Sequence, residues 1–179
     1  MLVSCEQLSS WAVEQLNSWT VEQFQSSAVK MLVVRTYWAS EEDLKNIYIL
    51  FIRSQLEQSA VVWHSSLTEE NKNDLERIQR SALKIIKRGR YKSYRKSLEE
   101  LNLDTLEERR ETLCLNFALR ALKNEKMKHM FPLKNRENRI LTRNSEMFEV
   151  QKANTDRLKK FALIYMQRLL NEHVKRWRI

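Results

Sequence analysis

The residue types able to do chemistry are few and scattered. Three histidines (His64, His129, His173) fall in different predicted elements, and no grouping of them with Cys5 and Cys114 has zinc-ligand spacing. Cys114 sits beside Leu113 and Phe117 on the apolar side of its predicted helix, which suits a small buried hydrophobe better than a nucleophile. The acidic pairs Glu41-Glu42, Glu69-Glu70, Glu99-Glu100 and Glu107-Glu108 lie near helix starts or on charged faces, where dipole complementation and solubility account for them. No Asp-Asp pair occurs, whereas nucleotidyl transfer needs two carboxylates to hold its metals. Catalytic residues, metal ligands and cofactors are therefore expected to be none, and no small-molecule substrate is implied.

The chemistry the sequence does offer is binding. From Lys84 to Lys96, seven of thirteen residues are basic (Lys84, Lys87, Arg88, Arg90, Lys92, Arg95, Lys96), none is acidic, and Tyr91 and Tyr94 are interleaved. Such a cluster suits phosphate contacts, with the tyrosines able either to stack on bases or to pack inward. A second basic stretch, Lys134, Arg136, Arg139 and Arg143, reads as solvated surface, as do Lys159 and Lys160. Arg109-Arg110 follow Glu107-Glu108 and are expected to be taken up in local ion pairs. Trp63 reads as a core anchor.

The elements that must carry the cluster are helical. A single glycine (Gly89) and a single proline (Pro132) stand where average usage would give roughly a dozen glycines. Hairpins and type II turns lean on glycine, so sandwiches, barrels and Rossmann-type sheets are poor candidates, and glycine-rich phosphate loops are excluded. Ser40 is placed to cap a helix with apolar Leu44, Ile47, Tyr48, Phe51 and Leu56, running to about Trp63. Thr68 caps the next, with Leu75, Ile78, Ala82, Ile85 and Ile86 at helical spacing and a stop at Gly89. A short helix is predicted from Ser93 to Leu101. Thr105 with Glu108 forms a capping box for a longer one that ends before Phe131-Pro132. Thr155 caps a last helix carrying Leu158, Phe161, Ala162, Tyr165, Leu169 and Val174.

The fold expected is all-α, a bundle of about four helices with a basic connector and a C-terminal helix. Four segments are predicted: an octad-repeat start (1–35), a helical domain (36–132), a basic linker (133–153) and the closing helix (154–179). The repeat is plain: Glu6-Gln-Leu-Ser-Ser-Trp-Ala-Val13 recurs at Glu14–Val21 and at Glu22–Val29. Eight residues overshoot two helical turns by about 80°, so Leu8, Leu16 and Phe24 hold no straight seam and loose structure is expected.

Net charge is +9, unevenly placed: residues 1–35 carry two basic against three acidic residues, and residues 36–179 carry thirty against twenty. A basic body implies a polyanionic partner. The longest apolar run, Ile47 to Ile52, is far short of the ~18 residues a membrane span needs. No basic, apolar leader opens the chain, and the two cysteines are unpaired in pattern. An intracellular protein, nuclear or cytoplasmic, without a membrane partner is expected.

The order and spacing of several phrases resemble the region after the palm in reverse transcriptases of non-LTR (LINE-type) retrotransposons. They are Asp43-Leu-Lys-Asn-Ile-Tyr-Ile-Leu-Phe-Ile-Arg53, Val61-Val-Trp-His-Ser-Ser-Leu67, Leu75-Glu-Arg-Ile-Gln-Arg80, Leu106-Glu-Glu-Arg-Arg110, Met130-Phe-Pro132 and Tyr165-Met-Gln-Arg-Leu-Leu-Asn171. The resemblance covers roughly residues 31–172 and does not extend to the octad repeat. It implies a helical thumb and connection, which in that family grips the template–primer duplex beside a palm domain. The family's aromatic-Ala-Asp-Asp motif is not in this sequence, so a non-catalytic fragment is expected. Its partners would be the RNA or DNA backbone, bound nonspecifically, and a palm domain. The competing expectation is a helical protein-interaction module or an inert remnant.

Overall fold

The computed structural model describes residues 39–134 and 147–177. The octad repeat, Cys5, Arg136, Arg139 and Arg143 lie outside them. Among the described residues the protein is all-α, and its only extended pairing is one antiparallel bridge between Leu133 and Phe148. Backbone contacts divide these residues into two units: 39–63 with 67–110, and 64–66 with 111–134 and 147–177. The division falls inside the helix that Thr105 begins, between Arg110 and Glu111.

The first unit opens on a reciprocal cap. The Ser40 hydroxyl accepts the Asp43 amide at 3.2 Å, and the Asp43 carboxylate accepts the Ser40 amide at 3.1 Å. Helix α1 (Glu41–Ile47) then widens into a π-wound stretch, Tyr48–Arg53, before α2 (Ser54–Glu57). Leu44, Tyr48, Ile52 and Leu56, each four residues apart, are all buried. A four-residue step overshoots an α-helical turn by about 40°. The wider i→i+5 winding undershoots it, and the mixture keeps this repeat on one face.

Two expectations are corrected here, one by the π-winding and one by a break after α2. Phe51, placed on the core face by α-helical spacing, is 56% exposed, next to Leu50 at 66%. The helix expected to run to Trp63 ends at Glu57; Ser59 takes φ 54° and α3 (Ala60–Trp63) starts afresh. Trp63 itself is buried, its indole N–H donating to the Gln58 carbonyl at 2.9 Å.

Helix α4 (Glu69–Lys87) is capped by Thr68, whose hydroxyl accepts the Asn71 amide at 3.2 Å. Leu75, Ile78, Ala82 and Ile86 are buried, joined by Leu83 and Gln79. Gln79 ties three segments together: it accepts the Tyr48 hydroxyl at 2.7 Å and donates to the Asp104 carbonyl at 3.0 Å. Burial pushes the Tyr48 phenol well above its ordinary range. The glycine stop is displaced by one residue, because Arg88 takes φ 49°, ψ −133° and Gly89 has no positive φ. Helix α5 (Tyr94–Leu101) begins at the Ser93 cap and ends in left-handed Asn102. The Thr105–Glu108 box starts α6 (Leu106–Lys123), with the Glu108 amide donating to the Thr105 hydroxyl at 3.2 Å.

In the second unit, Cys114, Ala118 and Ala121 of α6 are buried. The helix expected from Thr155 onward is two: α7 (Asp156–Lys159) and α8 (Ala162–Trp177), separated at Lys160. Its buried face is correspondingly different. Ile164, Met166, Gln167, Leu170 and Asn171 are buried together with Leu169, while Leu158 is exposed and Tyr165 only half-buried. Two amides explain the polar positions. Gln167 donates to the Met130 carbonyl at 2.9 Å and accepts the Gln151 amide at 3.2 Å. Asn171 accepts the Met147 and Phe148 amides at 3.0 and 2.9 Å and donates to the Phe148 carbonyl at 3.0 Å. Within the segment expected as a linker, Phe148 is buried while Leu133 is exposed.

Candidate nucleic-acid interface

The seven cations of the basic cluster all belong to the first unit, at the end of α4, the 3-10 turn Arg88–Arg90 and the start of α5. Six are exposed: Lys84, Arg88, Arg90, Lys92, Arg95 and Lys96. Lys87 is not. Its ammonium is buried between two carboxylates, 2.6 Å from Glu41 and 2.7 Å from Glu100. The Glu100 and Glu41 hydrogen bonds hold Lys87 above the usual lysine range, and Lys87 in turn draws Glu100 below the usual carboxylate range. A lysine so engaged joins α1, α4 and α5; it is withdrawn from any phosphate.

The remaining cations differ in what already holds them. Arg90 reaches Glu41 at 2.5 Å yet stays 77% exposed. Arg88 donates to the Ala39 carbonyl at 2.9 Å. Arg95, 92% exposed, meets Glu99 at 3.6 Å, a surface pair of little strength. Lys92 and Lys96 have no ion pair among the described residues. The Lys84 ammonium lies 5.8 Å from the centre of the Tyr91 ring.

Tyr94 is anchored inward. Its hydroxyl donates to Glu76, whose other oxygen accepts the Glu107 amide at 3.0 Å, so one carboxylate joins α5 and α6 to α4. Burial and that carboxylate raise the Tyr94 phenol far above its ordinary value. The guanidinium of Arg80 lies 5.1 Å over the ring. Arg80 and Arg77, both exposed, stand outside the run from 84 to 96, so charge density along the sequence misses them. Helical arithmetic contains the signal: 77, 80 and 84 share one face at three- and four-residue steps.

Other candidates resolve into structure. Arg109 pairs with Glu57 at 3.2 Å rather than with its sequence neighbours, correcting the local ion pairs expected of it. Arg110 is fully buried, with its guanidinium 5.8 Å over the Trp63 ring. Lys159 meets Asp156 at 2.8 Å, and Lys160 is exposed. In the second unit buried His64 meets Tyr165 edge-on at 5.5 Å between ring centres. A groove of about 610 Å³ beside α5 is lined by Glu99, Asp104 and Glu108 with Arg95 as its cation, a composition ill-suited to phosphate. Among the described residues, no group of three His, Cys, Asp or Glu is placed to hold a metal ion, and no helix is long and apolar enough to cross a membrane.

Family models, curated proteins and solved structures yield no match to the chain.

Proposed function

We propose that this chain is a non-catalytic C-terminal fragment of a LINE-type reverse transcriptase that binds the RNA or DNA backbone without sequence preference. The observation that carries the reading is the concentration of six exposed cations within residues 84–96 of the first unit. No acidic residue lies within that run, and Lys87, the cation engaged by two carboxylates, faces inward. The ordered phrases from Asp43 to Asn171 add the family expectation and a palm domain as the further partner.

Backbone binding of this kind releases counterions. With six phosphate contacts, log affinity for duplex DNA falls with log salt at a slope of about −5. A fluorescence-anisotropy titration of the full chain at several salt concentrations measures it. A helical protein-interaction module is the second reading, favoured by the adjacent exposed Leu50 and Phe51. Salt-independent or undetectable nucleic-acid binding, with self-association at micromolar concentration, decides for it.

A further inference from the structure

Three cations stand on one ridge of α4: Arg77, Arg80 and Lys84. All are exposed, and Arg77 is shared with Asp74 at 3.0 Å. The next two are held from beneath by aromatic rings, Arg80 by Tyr94 at 5.1 Å and Lys84 by Tyr91 at 5.8 Å, both within cation–π range. Both rings are half-buried. Tyr94 is pinned at its far end to Glu76 as well. A long charged side chain ordinarily loses rotamer freedom when it grips a ligand; a cation already resting on a fixed ring has lost part of it beforehand. A ring face covered by a cation is closed to a base.

We infer that Arg80, and beside it Arg77, belong to the phosphate-binding surface, and that Tyr94 and Tyr91 are positioning residues for Arg80 and Lys84 rather than platforms for bases. This rests on the nucleic-acid reading above and sharpens it: the ligand is recognised as a chain of phosphates, and its bases contribute nothing. Protein surfaces that do stack bases lose about five-fold to more than 100-fold in affinity for each base removed.

The test compares two labelled single strands bound by the full chain, twenty deoxythymidines and twenty abasic deoxyribose units, across a salt series. The abasic strand is expected to bind within about threefold of the other, with the same salt slope. Arg80→Ala should flatten that slope by about 0.7, the loss of one phosphate contact on a single strand. Tyr94→Leu, which keeps the charge, should lower affinity at every salt concentration with the slope unchanged, Tyr94→Phe should restore the affinity, and Tyr94→Leu with Arg80→Ala should be no worse than Arg80→Ala alone. Should Tyr94→Leu fail to fold by circular dichroism, exposed Arg80→Ala and Arg80→Gln carry the same comparison. A much weaker abasic strand, or an Arg80→Ala slope equal to wild type, overturns the inference and leaves backbone binding standing. If the wild-type chain shows no salt-dependent binding to either strand, the nucleic-acid reading itself falls, and this inference with it.

Discussion

The ammonium of Lys87 lies 2.6 Å from the carboxylate of Glu41, a residue 46 positions earlier in the chain. Glu100 closes on the same ammonium from α5 at 2.7 Å, and Arg90 meets the other oxygen of Glu41 at 2.5 Å. A cation from within the basic run is thus a structural clasp, and the surface around it is what remains for ligands.

That division of labour separates two kinds of variant. Lys87→Met should leave the salt slope of nucleic-acid binding unchanged. Its cost is in stability, about 1 kcal/mol, since both carboxylates keep water contact and Glu41 keeps Arg90. Lys92→Ala and Lys96→Ala, at exposed sites, should leave stability unchanged and each flatten the slope on duplex DNA by about 0.9. Urea unfolding and anisotropy on the three variants check both halves.

The clasp also sets a pH dependence. The folded Glu100 carboxyl titrates below its ordinary 4.5, so its stabilisation is complete above that value and drains away as pH falls toward the depressed one. Lys87 titrates above its ordinary 10.5, so its share is present below that value and is lost only as pH rises through the raised one. Asp43, drawn down by its Ser40 cap, adds a second acid-sensitive contribution. Urea midpoints measured from pH 6 to pH 3 should fall less steeply for Glu100→Gln than for wild type, and less steeply again for Glu100→Gln with Ser40→Ala.

Caps were legible in the sequence because each is settled within four residues. Ser40, Thr68, Ser93, Thr105 and Thr155 all accept or share the hydrogen bonds their neighbours imply. The exposed character of most of the basic run was legible too. What spacing alone does not reveal is a partner far along the chain. Nothing near Lys87 names Glu41, and nothing near Arg109 names Glu57. Gln79 and Asn171 are polar residues on apolar faces, and their burial is explained only by partners in other segments: the Tyr48 hydroxyl and Asp104 carbonyl for Gln79, the Met147 and Phe148 backbone for Asn171. The π-wound turn that exposes Phe51 breaks the α-helical period on which its placement rested.

Arg88 and Gly89 carry each other's conformational roles. Arg88 holds φ 49°, ψ −133°, a region that costs a side-chain-bearing residue on the order of 1–3 kcal/mol. Gly89 has no positive φ, and a Cβ there would meet nothing within 4 Å. Gly89→Ala should therefore stabilise by about 0.4–1 kcal/mol through the unfolded chain. Arg88→Gly should relieve strain at the expense of the hydrogen bond to Ala39, for a net gain of about 1 kcal/mol. Thermal melts of the two variants read these directly.

Asn171 closes three hydrogen bonds around Phe148, two of them, to the Phe148 amide and carbonyl, buried. Asn171→Ala should destabilise the second unit by about 2–3 kcal/mol, the cost of leaving buried backbone groups unsatisfied. Hydrogen exchange at the Phe148 amide should accelerate in that variant while the amides in the middle of α4, in the first unit, stay protected.

The most direct measurement is the salt dependence of duplex-DNA binding by the full chain and by its Arg88→Ala, Arg90→Ala, Lys92→Ala, Arg95→Ala variant. A wild-type slope of about −5 from the six exposed cations of residues 84–96, steeper toward about −7 where Arg77 and Arg80 also meet phosphates, and flattened by about three to four units in the fourfold variant, is the result expected. A slope unchanged by the four substitutions would contradict the site, and binding indifferent to salt would contradict the function.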